Sequence, residues 1–600
     1  MSRRVAVMNT AFRDGFQSCV GARVFTDDFL PALEAAMAAG FTHFEAGGGA
    51  RYQVPYLYCG EDAFDMMDRF RATTGPDANL QTLARGVNVV GLDSQSSDII
   101  KLHAELFKKH GMTTIRNFDA LNDWRNLAYS GQCIIEAGLR HEVVVALMGL
   151  PPGVSGGHTS EFYIGVLQDI LDNGVPFSSV CFKDASGTTP PQVIHDTVKE
   201  ARKRLGDDVH LRVHSHETAG ISVAQYRAAL DAGADGIDLS MAPMSGGTAQ
   251  PDVVTMWQAL RGTGFDLGVD IDKVLEAEEV FKECMKDYFL PPESRAVEPL
   301  IPFSPMPGGA LTANTQMMRD NGMLDKYPAA IREMREVVSL GGFGSSVTPV
   351  SQFYFQQALN NAIFGRWKRI AEGYGKMVLG YFGKTPREPD PKVVALAAEQ
   401  LGLEPTTRNP RLINDEDPTK GRESAMARLD EAGLPHTEEN IFISASLKEK
   451  GIAFLKGNGA IAVRKNVPEK KAPAAGGGGS KPDSFKVHVG GKSFQVDFKD
   501  GKALVNGRSF DYAIEAGGSA GAAPAAATSE AEAVKAQMPG KILKHVVAVG
   551  QQVSEGETLL LMEAMKMEME VAAPRDGTVA ALPAEEGQQV AAGEPLVLLS

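Results

Sequence analysis

Apolar, β-branched runs recur through the first 270 residues, each followed by a stretch long enough for a helix. Eight of them read RVAVMN, THFEAG, LQTLAR, TTIRNF, EVVVALMGL, SSVCFKD, VHLRVHSH and DGIDLSM. Strand-like runs alternating with helices predict a parallel sheet covered on its outer face, and eight repeats predict an α/β fold of the (β/α)8 barrel type. A doubly wound sheet shares the alternation, but the polar positions favour a barrel. Asp14, Arg85, Asp119, Lys183, His214 and His216 fall at or just beyond the C-terminal ends of different runs. That is the face where barrel enzymes gather their catalytic groups.

From 271 to 465 the period turns helical, as in EAEEVFKECMKDYF, YPAAIREMREVV and PKVVALAAEQLG, and predicts a second, helical domain. Within it TRNPRLINDED, 407–417, reads as loop. Two low-complexity stretches, 466–484 and 516–530, are rich in Gly, Ala, Pro and Lys and read as tethers. Between them 485–515 alternates with period two and carries turn signals at GG, DG and NG, which predicts a small β subdomain. A last unit spans 531–600.

That last unit repeats itself. Gly550-Gln551-Gln552-Val553 with Glu555-Gly556-Glu557 returns 37 residues later as Gly587-Gln588-Gln589-Val590 with Gly593-Glu594. Two halves, each too small for a core of its own, predict a quasi-symmetric all-β sandwich. Between the halves lies Glu563-Ala564-Met565-Lys566-Met567.

Composition removes several function classes. Apolar residues make up 43% and charged residues 22%, ordinary values for a globular chain. A net charge of −15 without a long basic block argues against nucleic acid as a partner. The five cysteines are odd in number, widely spaced and form no CxxC pair, so neither a disulfide framework nor a thiolate zinc site is expected. No apolar run of about 18 residues occurs, and the N-terminal stretch lacks a signal-peptide core. A cytoplasmic location is expected, with docking on a membrane complex left open. Only seven of the 63 glycines lie in the tethers, so glycine serves mainly the turns and loops of the barrel.

His214-Ser215-His216 puts two imidazoles on one face of a strand, because side chains alternate with period two, and such nitrogens suit a divalent metal. EAMKM between two similar β halves resembles the biotinyl domain of biotin-dependent carboxylases. RDGFQS, CFKDASG, HSHETAG and APMSGGTAQP resemble the carboxyltransferase family of oxaloacetate decarboxylase alpha subunits and the corresponding pyruvate carboxylase subunits. FDALND, MPGGALTAN, VTPVSQ and FGKTPREPDP extend the resemblance over nearly the whole chain.

What the resemblance implies is specific. Lys566 would carry biotin between Met565 and Met567. Asp14, Lys183 (as a carbamate), His214 and His216 would ligate a divalent metal, with zinc expected and manganese or cobalt as alternatives. Arg85 and Gln17 would hold the 2-oxo acid, with Arg13, Arg51 and Gln53 lining its pocket, and Thr312 would relay a proton. The implied reaction moves a carboxyl group between N1 of biotin and a 2-oxo acid, pyruvate or oxaloacetate first. The implied partners are a biotin protein ligase, a separate biotin carboxylase or membrane decarboxylase subunit, and further copies of the chain in a dimer or larger homo-oligomer. No glycine-rich ATP-grasping region is evident, in keeping with a separate ATP-using subunit.

The sequence also departs from the family pattern. Phe16 stands where members usually have histidine, Gly47 where they have tryptophan, Gln53 where they have aspartate and Leu92 where many have tyrosine. Loss of a ring and gain of Arg51 predict, as an alternative, a longer or dicarboxylic acid such as 2-oxoglutarate. Two further alternatives are a lipoyl-carrying metal-dependent aldolase or lyase and a non-catalytic scaffold that presents biotin.

Overall fold

All eight predicted strands close into one parallel barrel: β1 (Ala6–Asn9), β2 (His43–Gly48), β3 (Asn79–Ala84), β4 (Thr114–Asn117), β5 (Arg140–Leu147), β6 (Ser179–Asp184), β7 (His210–Ser215) and β8 (Gly236–Leu239). This is a computed structural model. It describes residues 2–466, 484–489, 492–499, 502–505, 508–511, 532–536, 539–564, 567–591 and 593–600. The chain divides into two compact units, Met1–Lys465 and Asn466–Ser600.

The first predicted run splits in two. Arg3–Arg4 pairs in parallel with Phe265–Asp266 outside the barrel, and only Ala6–Asn9 joins it. The strand registers decide which side chains share a face. Lys183 on β6 lies beside His214 on β7, and Arg116 on β4 beside Glu142 on β5.

No break in packing marks residue 270. Helix Ile271–Met285 packs on helix Thr26–Ala38 and sends Phe281 into an aromatic cluster with Phe12 and Phe16, at centroid distances of 5.2 and 5.8 Å. Edge-on and tilted rings of this kind add about 0.5–1.5 kcal/mol per pair beyond their burial. The following segments are helical, as expected, through Glu438–Leu455. The expected loop 407–417 is corrected: Pro410–Asp415 is helical, with the Asn409 side chain accepting from Arg411 N–H at 3.0 Å. Asn followed by Pro is the pairing of a good N-cap with a residue whose fixed φ suits the first helical position.

His103 gives the barrel layer a pH dependence. It lies buried against Phe107, with ring centroids 4.2 Å apart, and burial alone pushes its imidazole down to about 3. The folded chain keeps this ring neutral, whereas the unfolded chain protonates it near pH 6.5. Its contribution is therefore complete above pH 6.5 and is lost as the pH falls toward 3. His103→Leu is expected to lose about 2–3 kcal/mol less than the parent chain between pH 6.5 and 4, read from urea midpoints. Equal losses would count against a neutral buried imidazole.

In the second unit β9 (Ser484–Val489), β10 (Lys492–Lys499), β11 (Lys502–Val505) and β12 (Arg508–Asp511) form an antiparallel meander. The expected tethers fall almost wholly outside the described residues. The last unit forms two four-stranded sheets from β13 (Glu532–Lys535), β14 (Gly540–His545), β15 (Gln552–Val553), β16 (Thr558–Ala564), β17 (Met567–Ala572), β18 (Gly577–Ala581), β19 (Gln589–Val590) and β20 (Pro595–Leu599). The 37-residue repeat is visible in its hydrogen bonds. Ser554 N–H donates to Glu557 and Ala591 N–H to Glu594, at 2.9 and 2.8 Å. Gly550 N–H donates to Val579 O and Gly587 N–H to Ile542 O.

Candidate metal and substrate site

Asp14 sits in a widened π-helical turn, Ala11–Gly15, directly after β1. Such turns redirect side chains and are frequent at functional sites. His214 is the last residue but one of β7 and His216 lies one residue past its end, so their rings share a face, while Ser215 between them donates its N–H to Tyr226 Oη at 2.9 Å. His214 Nε2 and His216 Nε2 stand 3.2 and 3.3 Å from Asp14 Oδ2. Lys183 Nζ is 2.7 Å from His214 Nε2 and 3.8 Å from Asp14. All four side chains are buried.

This cluster suits a divalent metal. The ligand atoms of Asp14, His214 and His216 lie within 4.8 Å of one another. His216 Nδ1 is 2.7 Å from Thr248 O, a carbonyl that only accepts, so that nitrogen carries the proton and Nε2 keeps its lone pair for the centre. Burial opposes charge on Asp14, but Arg13, His216 and Lys183 hold its carboxyl well below the usual range. Burial also lowers the Lys183 amine, with Arg13 and Arg116 adding to the effect against Asp14. An amine whose charge burial disfavours, beside a carboxylate held in its charged form, suits a cation better than an ordinary ammonium would.

The residues expected to hold the substrate adjoin this centre. Arg13 pairs with Glu45 and with Asp14 (3.1 Å), and its other nitrogen donates to Gln17 Oε1 at 3.1 Å. A Cβ placed on Gly49 would lie 3.4 Å from Arg85 Nη2 and 3.5 Å from Gln17 Oε1, so these two groups converge on a bare backbone position. Arg85 is anchored through Nη1, which donates to Val90 O and Gly91 O at 2.6 and 2.9 Å. Burial, then Arg13, pushes it down to about 9, still protonated at neutral pH.

Thr312 joins from the other side. Its helix, Gly308–Asp320, begins so close to the barrel that a Cβ on Gly308 would fall 1.7 Å from Thr248 O. Only glycine allows that approach. Thr312 Oγ1 consequently lies 3.3 Å from Thr248 Oγ1, which in turn donates to Ser18 O at 2.8 Å.

Arg51 is placed elsewhere than expected. Fully buried at 0% exposure, it donates to Ala22 O and Val24 O at 2.9 and 2.8 Å, with its guanidinium over the rings of Phe16 and Phe29. It braces the chain behind the pocket and does not join the Arg85–Gln17 pair. Gln53, half-buried on helix Ala50–Tyr58, is not among the described side chains that meet there either. Phe16 belongs to the aromatic core. A Cβ on Gly47 would face Met67 and Thr82, so the space left by a missing ring there lies away from Arg85. Leu92 is 50% exposed. Asp119 accepts from the N–H groups of Leu121 and Asp123 and works as a turn former.

One residue of the site went unassigned in the sequence. Gln250 Nε2 lies 3.1 Å from both Asp14 Oδ2 and His216 Nε2, and its Oε1 accepts from Thr10 Oγ1 at 2.7 Å. It stands in APMSGGTAQP, and only the closing of the loop after β8 reveals its place. Lys566 and Met565 lie outside the described residues. The strands on either side of them pair as far as Ala564 and Met567.

Comparisons with known proteins bear on the fold and on what the chain is similar to. Residues 301–505 match the family described as a conserved carboxylase domain, 158–281 an HMGL-like family and 532–599 the biotin-requiring enzyme family. The chain is 29% identical over 501 residues to the methylmalonyl-CoA carboxyltransferase 5S subunit of Propionibacterium freudenreichii, covering 82% of this chain and 97% of that one. It is 28% identical to a pyruvate carboxylase subunit of Methanocaldococcus jannaschii, over 94% of each. It is 29% identical to the 2-oxoglutarate carboxylase large subunit of Hydrogenobacter thermophilus, over 95% of this chain and 91% of that one. The solved carboxyl transferase domain of Rhizobium etli pyruvate carboxylase superposes with a TM-score of 0.68 at 21% identity, covering 85% of this chain and 88% of the other, and shares the fold. Among the described residues no helix is long and apolar enough to cross a membrane.

Proposed function

We propose that this chain, a biotin-dependent carboxyltransferase, moves a carboxyl group between biotin on Lys566 and the carbon beside the carbonyl of a 2-oxo acid, with pyruvate and oxaloacetate as the preferred pair. One observation carries the choice of acid. Arg85 Nη2 and Gln17 Oε1 converge on Gly49, while Arg51 lies fully buried behind, its Nη1 held by two backbone carbonyls. Among the described residues Arg85 is thus the guanidinium offered to the one carboxylate of pyruvate, the neighbouring Arg13 being paired with Asp14 and Glu45, which leaves none there for the distal carboxylate of 2-oxoglutarate.

In this reading Arg85 grips the substrate carboxylate and Gln17, itself fixed by Arg13, aligns the carbonyl. Asp14, His214, His216 and Lys183 would hold the metal, zinc first and manganese or cobalt next. When bound, such an ion polarises the enolate oxygen that develops as the substrate loses a proton. Lys183 joins as a carbamate: the neutral amine that burial favours attacks carbon dioxide, releases one proton and becomes an anionic oxygen ligand. Biotin supplies a ureido nitrogen that carries the carboxyl group. As the bond from that nitrogen to the carboxyl group breaks and releases carbon dioxide, Thr312 takes the proton from the substrate carbon and gives its own hydroxyl proton to the nitrogen, and the deprotonated carbon bonds to the carbon dioxide, so one proton enters and one leaves. The dry setting strengthens each of these interactions.

A biotin protein ligase would load Lys566. A separate biotin carboxylase or membrane decarboxylase subunit would charge or discharge the carrier, in keeping with relatives named as subunits. The stretches 466–484 and 516–530 would give the carrier its reach, and linkage keeps it at high effective concentration. Chain expressed with ligase is expected to shift on a streptavidin gel and Lys566→Ala to lose the shift. In turnover, pyruvate or oxaloacetate is expected to exceed 2-oxoglutarate at least tenfold in kcat/KM. A preference for 2-oxoglutarate would overturn the choice of acid, and a lipoyl mass on the Lys566 peptide would overturn the carrier.

A further inference from the structure

The centre of this barrel is ionic where branched apolar side chains usually fill the layers. Arg116 (β4), Glu142 (β5), Arg212 (β7) and Asp238 (β8) are all buried and close a ring. Arg116 Nε meets Glu142 Oε1 and its Nη1 meets Asp238 Oδ2, both at 2.5 Å. Arg212 Nη1 meets Asp238 Oδ1 at 3.2 Å, and its Nε lies 3.6 Å from Glu142 Oε2. Two cations and two anions balance, and each carboxylate gives one oxygen to each arginine. Buried ion pairs are often no more stabilising than apolar side chains of the same volume, so stability alone does not explain the ring.

Its contact with the site does. Asp238 Oδ2 is 2.8 Å from His214 Nδ1. Arg116 Nη1 also lies 3.3 Å from Nδ1, but the closer carboxylate only accepts and takes the Nδ1 proton in its hydrogen bond, while the Nε2 lone pair faces the Lys183 amine at 2.7 Å, nearer than Asp14 Oδ2 at 3.2 Å. His216 obtains the same tautomer from a backbone carbonyl. His214, inside the barrel, faces neighbouring strands whose backbone groups are spent on the sheet.

We propose that Asp238, clamped between Arg116 and Arg212, is the positioning residue of the metal centre, fixing the tautomer and ring orientation of His214. This rests on the reading that Asp14, Lys183, His214 and His216 hold a divalent ion. Carboxylates behind metal-bound histidines typically contribute 10–100-fold in metal affinity.

The test uses the full biotinylated chain, stripped by chelation and titrated with Zn2+ against a competing chelator. Asp238→Asn leaves two buried cations with one anion, so the charge-balanced double variant Asp238→Asn/Arg116→Gln is measured beside it. A 10–100-fold weaker Zn2+ affinity in a variant that keeps the parent far-UV CD spectrum is expected. Affinity within threefold of the parent overturns the proposal. On the unaltered metal-free chain, 15N spectra of histidine-labelled protein, with His214 assigned through His214→Gln, are expected to show the proton on Nδ1. A proton on Nε2 overturns the proposal even where neither variant folds. A parent chain that binds no Zn2+ rejects the metal reading itself, and is thereby distinguished from variants that bind as well as the parent.

Discussion

Thr312→Ala is expected to lower kcat for carboxyl transfer by about 10²–10⁴-fold, the usual contribution of a positioned proton-transfer group. Substrate KM, zinc content and biotin attachment should stay near the parent values. Thr312 is 3% exposed, and its hydroxyl is oriented by a chain running through Thr248 to the Ser18 carbonyl. Alanine removes the hydroxyl and leaves Thr248, and with it the orientation of His216, in place. Thr312→Ser keeps the oxygen and is expected to recover most of the rate. Parent-like kcat in the alanine variant, measured at saturating 2-oxo acid, would remove Thr312 from the reaction.

Lys183→Met is expected to cost about 10³-fold or more in rate, the equivalent of several kcal/mol of charge stabilisation supplied at a metal centre. The substitution keeps length and apolar stem and removes only the amine. Burial already disfavours charge on that amine, which offsets the lost attraction for Asp14, so little net change in stability is expected. The specific signature is carbon dioxide. In the parent chain added bicarbonate should tighten zinc binding, because it drives carbamate formation; in Lys183→Met it should have no effect. Bicarbonate-independent zinc binding by the parent would show that Lys183 enters as a plain amine or not at all.

The fold was legible to the extent that periodicity encodes it. All eight strands lie where apolar runs alternate with helices, because a strand buried on both sides tolerates few polar residues. The inward pairing of His214 and His216 follows from period two, and Lys183 joins them through the β6–β7 register. Side-chain direction off the strands was less legible. Arg51 reads as a pocket residue gained over the family pattern, yet at the start of helix Ala50–Tyr58 it turns onto the carbonyls of Ala22 and Val24. Gln250 and the 1.7 Å approach at Gly308 depend on loops that meet only in three dimensions. The helix at Pro410 was missed although Asn409-Pro410 is a start signal, because too few apolar residues follow it.

In the proposed function one chain joins a metal-centred 2-oxo acid site to a biotin carrier. Incubation of the biotinylated, zinc-loaded chain with oxaloacetate labelled with 14C in the carboxyl group at C4 tests this most directly. One acid-labile label per chain is predicted after rapid desalting, with pyruvate formed in equal amount and no label in Lys566→Ala. Fully biotinylated, metal-loaded chain that takes no label from this acid, or from any other carboxylated 2-oxo acid, would contradict it.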